Sequence, residues 1–128
     1  MIESTYTNAI GRKVKPHAYW LKIMMAFNNG VPDVWVSGIK TDLWIEFKYL
    51  KKVPKRNTTI IQPDLSELQA RWLLNRHHEG RNVCVIIGSS SGAYIYEDLT
   101  WSNANTTNIH LTLTQKQVAE WIISRVNK

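Results

Sequence analysis

The chain has 128 residues, with 16 lysines and arginines against 10 aspartates and glutamates, which leaves a formal net charge of +6. Its one cysteine excludes an internal disulfide, no apolar run approaches the roughly 20 residues that span a bilayer, and the N-terminal segment lacks the pattern of a signal peptide. The length predicts one domain over residues 1–128. The cysteine usage favours an intracellular location, and the basic excess favours a polyanionic partner.

Hydrophobic periodicity and turn residues predict a mixed α/β domain. A helix is predicted over residues 3–14, followed by strands over residues 19–24, 33–37 and 43–49, the last two joined by a short hairpin connection. After a long loop over residues 50–65, Ser66 and Gln69 form a capping-box pattern that opens a second helix, which Gly80 ends. Strands over residues 82–87 and 93–97, an irregular stretch over residues 101–108, and a C-terminal helix opened by Thr114 and Gln117 complete the order.

Two acidic residues and one lysine form the most informative pattern. Side chains alternate along a strand, so Glu46 and Lys48 emerge on one face while Ile45 and Phe47 point into the core. The hairpin places Asp33 on the neighbouring strand, close to Glu46. This set suits phosphodiester hydrolysis, because Mg²⁺ binds through one or two carboxylates and substrate phosphate. Lys48 would orient the attacking water and stabilise the charge that develops on the phosphate.

The same residues resemble a known family. Gly-Val-Pro-Asp at residues 30–33, followed by Ile-Glu-Phe-Lys at residues 45–48, is similar to the signature of the PD-(D/E)XK nuclease superfamily. The frame looks closest to the virus-type replication-repair branch (VRR-Nuc), phage endonuclease I and the archaeal Holliday-junction resolvases. The resemblance covers roughly residues 2–88. It implies a restriction-endonuclease-like core of helix, three-stranded meander, helix and strand, here with an extra strand and a C-terminal helix.

The resemblance also assigns roles to individual residues. Asp33 and Glu46 match the metal-binding carboxylates, and Lys48 matches the catalytic lysine. Glu3 matches a further metal ligand on the first helix, although a glutamate there also suits the positive end of a helix. Gln69, in a Leu-Ser-x-x-Gln pattern, matches a glutamine that faces the site, although it also suits a capping box alone. These matches imply Mg²⁺ as the cofactor, with Mn²⁺ as a substitute, and no small-molecule cofactor.

The implied function is a metal-dependent DNA endonuclease of a phage or mobile element, structure-selective for branched DNA such as Holliday junctions. At this size, pairing into a homodimer would extend the enzyme's reach over a symmetric junction. The alternatives are a nicking or degradative nuclease without structural preference, a non-cleaving DNA-binding protein on the same fold, and a subunit of a larger assembly. No membrane partner is expected.

A basic loop follows the Glu-x-Lys strand directly. Its cations are Lys51, Lys52, Lys55 and Arg56. Their position favours contact with the DNA backbone at the rim of the site, and a solubilising loop is the alternative.

Two tryptophans flank the hairpin. Trp35 shares a strand face with Asp33, and Trp44 shares one with Glu46. Packing under neighbouring elements is the simpler interpretation, and stacking on an exposed base is the alternative.

Overall fold

The structure, a computed structural model, describes residues 1–24, 29–55, 61–102 and 111–128. Within these ranges the helices and strands follow the predicted order. They are α1 (Glu3–Val14), β1 (Tyr19–Lys22), β2 (Val34–Ser37), β3 (Asp42–Leu50), α2 (Glu67–His78), β4 (Val83–Ser89), β5 (Tyr94–Tyr96) and α3 (Gln115–Asn127), with a short 3-10 turn at Thr100–Ser102. The mixed α/β class is confirmed. Across these same ranges, no helix is long and apolar enough to cross a membrane.

One five-stranded sheet, in the order β1-β2-β3-β4-β5, lies at the centre. The first three strands form an antiparallel meander, β4 lies parallel to β3, and β5 returns antiparallel to β4. Helix α2 provides the crossover that a parallel pair requires. Val34 on β2 pairs with Ile45 on β3, so Asp33, one residue before β2, stands across from Glu46.

Different helices cover the two faces of the sheet, and the side chains of each strand point alternately to one face and the other. On β3, Leu43, Ile45 and Phe47 point to the face that α1 and α3 cover, and each is at most 1% exposed. Trp44 points to the opposite face, where α2 packs through Leu73. The residues of β3 that alternate with its buried apolar positions therefore share a face with α2.

Both predicted capping boxes are present. The Ser66 hydroxyl accepts a hydrogen bond from the Gln69 backbone N–H at 3.1 Å, and the Gln69 side chain accepts one from the Ser66 backbone N–H at 3.0 Å. Thr114 and Gln117 make the same reciprocal pair at 3.1 and 2.9 Å. Helices α2 and α3 therefore begin where the local sequence predicted.

Some boundaries differ from the prediction. The ladder between β1 and β2 ends where Lys22 pairs with Val34, and beyond it the Ile23 N–H donates to the Asp33 carbonyl at 2.7 Å. The first strand is therefore shorter than predicted, and Asp33 precedes β2 instead of opening it. Of the stretch predicted to be irregular, residues 101 and 102 belong to the 3-10 turn, and residues 103–108 lie outside the described residues.

Gly30 brings the chain before β2 against the start of α2. Its φ is +82°, and a Cβ atom there would lie 2.3 Å from the Leu68 carbonyl oxygen. Glycine tolerates this left-handed backbone and leaves room for the neighbouring chain. The segment that carries Asp33 is thereby held beside the helix that carries Gln69.

Candidate active site

Asp33, Glu46 and Lys48 converge where β2 begins beside the middle of β3. An Asp33 carboxylate oxygen accepts a hydrogen bond from the Phe47 backbone N–H at 3.0 Å, which ties the chain before β2 to β3. Glu46 is 2% exposed, and its Oε2 lies 3.4 Å from Lys48 Nζ. A buried carboxylate, a second carboxylate and an ammonium therefore occupy one patch of the sheet.

Gln69 joins this patch to helix α2. Its Nε2 donates to Glu46 Oε2 at 3.1 Å, and its Oε1 accepts from Lys48 Nζ at 3.2 Å. The same Oε1 accepts the Ser66 backbone N–H of the capping box. One amide side chain therefore caps the helix and contacts both a carboxylate and an ammonium.

The Glu46 carboxyl group is held in an unfavourable environment for a charge. Burial, followed by the neighbouring charge of Asp33, raises the pKa of Glu46 from 4.5 to about 8, against the opposing effect of Lys48. Its Oε1 is buried and has no hydrogen-bond partner among the described residues. A buried carboxylate oxygen without a partner is costly unless a cation compensates its charge.

The two other acids near this patch are perturbed in the same direction. Burial raises the pKa of Asp33, although the Phe47 N–H and then Lys48 lower it. Glu3, in the first turn of α1, is exposed as a residue. Partial burial of its carboxylate and the charge of Asp33 nevertheless raise its pKa, while Lys48 lowers it. Glu3 therefore lies close enough to interact electrostatically with both residues.

The donor set fits a hard divalent cation that uses few protein ligands. In the part of the chain that the structure describes, no group of three or more His, Cys, Asp or Glu side chains is arranged to hold a metal ion. Mg²⁺ usually keeps several waters and binds through one or two carboxylates and substrate phosphates, and Asp33 and Glu46 provide two. The unpartnered Oε1 of Glu46 favours a cation at this point. Glu3 stands outside this close pair, and its role as a third ligand stays a prediction.

The arrangement of helices and strands recurs in a solved structure. It is similar to Hjc, a Holliday junction resolvase from the archaeal hyperthermophile Archaeoglobus fulgidus, over 76% of this chain and 79% of that one, with a TM-score of 0.51 and 14% sequence identity. The two chains share a fold. No protein-family model matches the sequence, and no curated protein is similar to it in sequence. The restriction-endonuclease-like fold class is thus confirmed, whereas membership of the PD-(D/E)XK superfamily and its VRR-Nuc branch stays a prediction.

The predicted DNA-binding loop leaves the sheet at the end of the strand that carries the site. Lys51, Lys52 and Lys55 are exposed, and Lys51 is three residues beyond Lys48. Arg56 lies outside the described residues. Contact between this loop and DNA stays a prediction.

Lys22 is a charge near the site that no motif in the sequence indicates. It is the last residue of β1 and pairs with Val34, and its charge lowers the pKa of Asp33. Its Nζ also donates a hydrogen bond to Asn8 Oδ1 on α1 at 3.4 Å. Its place beside Asp33 follows from the register of β1 against β2, and the sequence alone does not determine that register.

Proposed function

We propose that the protein is a Mg²⁺-dependent nuclease that hydrolyses phosphodiester bonds in DNA. The buried carboxylate of Glu46, with Asp33 and Lys48 beside it, is the observation that carries the proposal. Two carboxylates repel a DNA phosphate, and burial adds a desolvation cost. The arrangement therefore suits phosphate binding when a cation lies between them, and a protein that merely binds DNA gains nothing from it.

Each residue has a distinct task in the proposed reaction. The bound ion would neutralise phosphate charge and lower the pKa of a coordinated water. Asp33 and Glu46 would supply its oxygen ligands. Lys48 Nζ donates hydrogen bonds to the negative charge that develops on the phosphate. Gln69 holds the Glu46 carboxylate and the Lys48 ammonium in place from the first turn of α2.

Branched DNA is the substrate class that we propose. The fold shared with a Holliday junction resolvase, the net charge of +6 and the cationic loop beside the site support it. A homodimer would present two sites related by a two-fold axis, which suits a symmetric four-way junction. A nicking or degradative nuclease without structural preference is the alternative, and it differs in cutting linear and branched DNA at equal rates.

Cleavage of matched linear, nicked, flapped and four-way DNA tests the proposal. We expect cutting with Mg²⁺ or Mn²⁺, none in excess EDTA, and the highest rate on the four-way junction. Asp33→Asn should abolish cutting and retain binding, because it removes a metal-ligand charge that itself repels DNA and leaves every lysine and arginine side chain in place. Glu67→Gln is the matched control, because its side chain is 86% exposed and paired with Arg71.

Three outcomes would contradict different parts of the proposal. Full activity in EDTA, or in Asp33→Asn, would refute metal-dependent cleavage at this site. Equal rates on all four DNAs would refute the preference for branches. Tight binding by the wild type with no cleavage under any metal would favour a DNA-binding protein that does not cut.

The role of the basic loop is tested by salt dependence. Each phosphate contact contributes about 0.9 to the slope of log affinity against log salt, so replacing three lysines that contact DNA flattens the slope by up to about 3. The variant replaces Lys51, Lys52 and Lys55 with serine. A control removes the same charge from exposed positions on α1, just after it, and on α3: Lys13, Lys15 and Lys116. Parallel lines for the loop variant and the wild type would show that the loop does not touch the backbone.

A further inference from the structure

Four aromatic rings form a continuous row across the α2 face of the sheet. Tyr19 on β1 contacts Trp35 on β2 with ring centroids 5.9 Å apart, Trp35 contacts Trp44 on β3 at 6.1 Å, and Trp44 contacts Trp72 on α2 at 5.3 Å. We call these four residues the aromatic row. Packing explains Trp44 and Trp72, which meet where α2 lies against β3, but it does not explain Tyr19.

The aromatic row runs beside the carboxylates. Trp35 pairs with Trp44 in the register of β2 and β3, and Asp33 and Glu46 are the neighbouring positions on the same face. Successive residues on one face of a strand are separated by about 7 Å. A nucleotide whose phosphate lies at the carboxylates therefore has its own base, or that of its neighbour, within reach of the row.

The outer end of the row is open. Tyr19 is 58% exposed, and Leu21, which pairs with Trp35, is 43% exposed, because β1 is the edge strand and α2 packs over the opposite half of the sheet. Trp35 is oriented by the protein itself, since its Nε1 donates to Asp42 at 2.9 Å. An exposed aromatic surface of fixed geometry beside a phosphate site has the properties of a stacking platform for bases.

We propose that Tyr19, Leu21 and Trp35 form a platform on which unpaired bases stack next to the phosphate that is cleaved. The proposal rests on the proposed function, because it places that phosphate at Asp33 and Glu46. Every base has an aromatic face, so such stacking tolerates any sequence. Bases within a continuous duplex already stack on one another, so the platform favours flaps, single-stranded ends and branch points over linear duplex.

A second copy of this chain could also bind this surface, because an exposed edge strand can pair with another chain. The observations favour bases. Trp35, the inner residue of the platform, is the next position after Asp33 on this face, whereas Tyr19 lies one position further out, in register with Ser37. A copy seated on Trp35 would crowd a site that must admit a phosphate. A DNA strand also neutralises the net charge of +6, which a second copy of this chain does not.

The test measures binding in the Asp33→Asn background, which is expected to bind without cutting. One DNA is a linear duplex, and the other is the same duplex with a single-stranded flap that carries a fluorescent purine analogue next to the branch. Tyr19→Leu removes the ring but stays apolar, and Tyr19→Trp retains a stacking surface. Ile39→Ser is the control, because it removes an apolar side chain that is 92% exposed at the hairpin turn.

We expect Tyr19→Leu to weaken binding to the flapped DNA by about fivefold or more. It should also reduce quenching of the analogue and leave the affinity for duplex unchanged. Tyr19→Trp should bind the flapped DNA as the parent does, and Ile39→Ser should behave as the parent on both DNAs. Equal weakening on both DNAs, or no weakening on either, would overturn the proposal.

Sedimentation velocity on the same variants measures the oligomeric state and so tests whether a second copy binds the platform. A dimer that Tyr19→Leu converts into monomers would overturn base stacking and assign the surface to a protein interface. These binding and sedimentation measurements require no cleavage, so a separate cleavage assay with Asp33 intact distinguishes failure of the platform from failure of the nuclease assignment. If Tyr19→Leu with Asp33 intact still cuts and shows unchanged binding to flaps, the platform fails and the nuclease assignment stands. If stacking is found but the wild type cuts no DNA, the nuclease assignment fails alone.

Discussion

Replacing Glu46 with glutamine should make the metal-free protein more stable. Glu46 is 2% exposed, its Oε1 has no partner among the described residues, and its pKa is raised from 4.5 to about 8, chiefly by burial. Between pH 4.5 and about 8, the Glu46 carboxyl group is ionised in the unfolded chain and protonated in the folded chain. The free energy of unfolding therefore falls by about 1.4 kcal/mol for each pH unit in this window. The free energy of unfolding should therefore be about 3 kcal/mol lower at pH 7 than at pH 4.5.

The variant Glu46→Gln avoids most of this loss. Its amide keeps an acceptor for Gln69 Nε2 and carries no charge at any pH, as the protonated Glu46 carries none at pH 7. We expect its free energy of unfolding at pH 7 to exceed that of the wild type by about 1–3 kcal/mol, and the difference to shrink as the pH falls toward 5. The assay is urea unfolding in EDTA across this pH range, with the exposed Glu67→Gln as the control.

Mg²⁺ should remove most or all of the variant's advantage in stability. A ligand at 100 times its dissociation constant raises the free energy of unfolding by about 2.7 kcal/mol, and the wild type should show such a gain. Glu46→Gln should gain little, because it lacks a ligand charge. The reasoning is refuted if the variant is less stable than the wild type in EDTA at pH 7, or if Mg²⁺ stabilises both proteins equally.

Further substitutions test how the surrounding structure supports the site. Ser66→Ala and Thr114→Ala each remove the hydroxyl half of a capping box at a cost of about 1 kcal/mol. Only Ser66→Ala should also slow cleavage, because it loosens the helical turn from which Gln69 reaches the site; cleavage by Ser66→Ala at the wild-type rate would contradict this. Gly30→Ala should lower the melting temperature more than Gly80→Ala, since φ is +82° and +84° but a Cβ meets backbone only at Gly30. Equal losses would show that this close approach is unimportant. Glu3→Gln should raise the Mg²⁺ concentration needed for half-maximal cleavage, and a wild-type titration would remove Glu3 from the ligand set.

The features that could be predicted from the sequence have local signals. The capping boxes at Ser66 and Thr114 predicted where two helices begin, because each pattern satisfies its own backbone donors. Strict alternation on β3 predicted that Phe47 is buried and that Glu46 and Lys48 share a face. The order of elements followed from these signals, and the fold shared with a resolvase confirms the class.

The remaining features depend on contacts between distant segments. The end of β1, and with it the position of Lys22 near Asp33, depends on the register with β2. The reach of Gln69 to the Glu46 carboxylate depends on how α2 sits against the sheet, and the close approach at Gly30 controls that seating. No pattern within one element encodes these distances, because each arises from two elements that fold onto one another.

The glutamine shared by the cap of α2 and the site couples two equilibria. The first turn of a helix frays readily, because its N–H groups lack partners within the helix. When this turn opens, the Gln69 side chain loses its hydrogen bonds to Ser66, Glu46 and Lys48 together. The first helical turn and the site geometry therefore form and are lost as one unit. Slow amide hydrogen exchange at the start of α2 then reports an assembled site. A cation that binds at Glu46 should slow that exchange without touching the helix backbone at all.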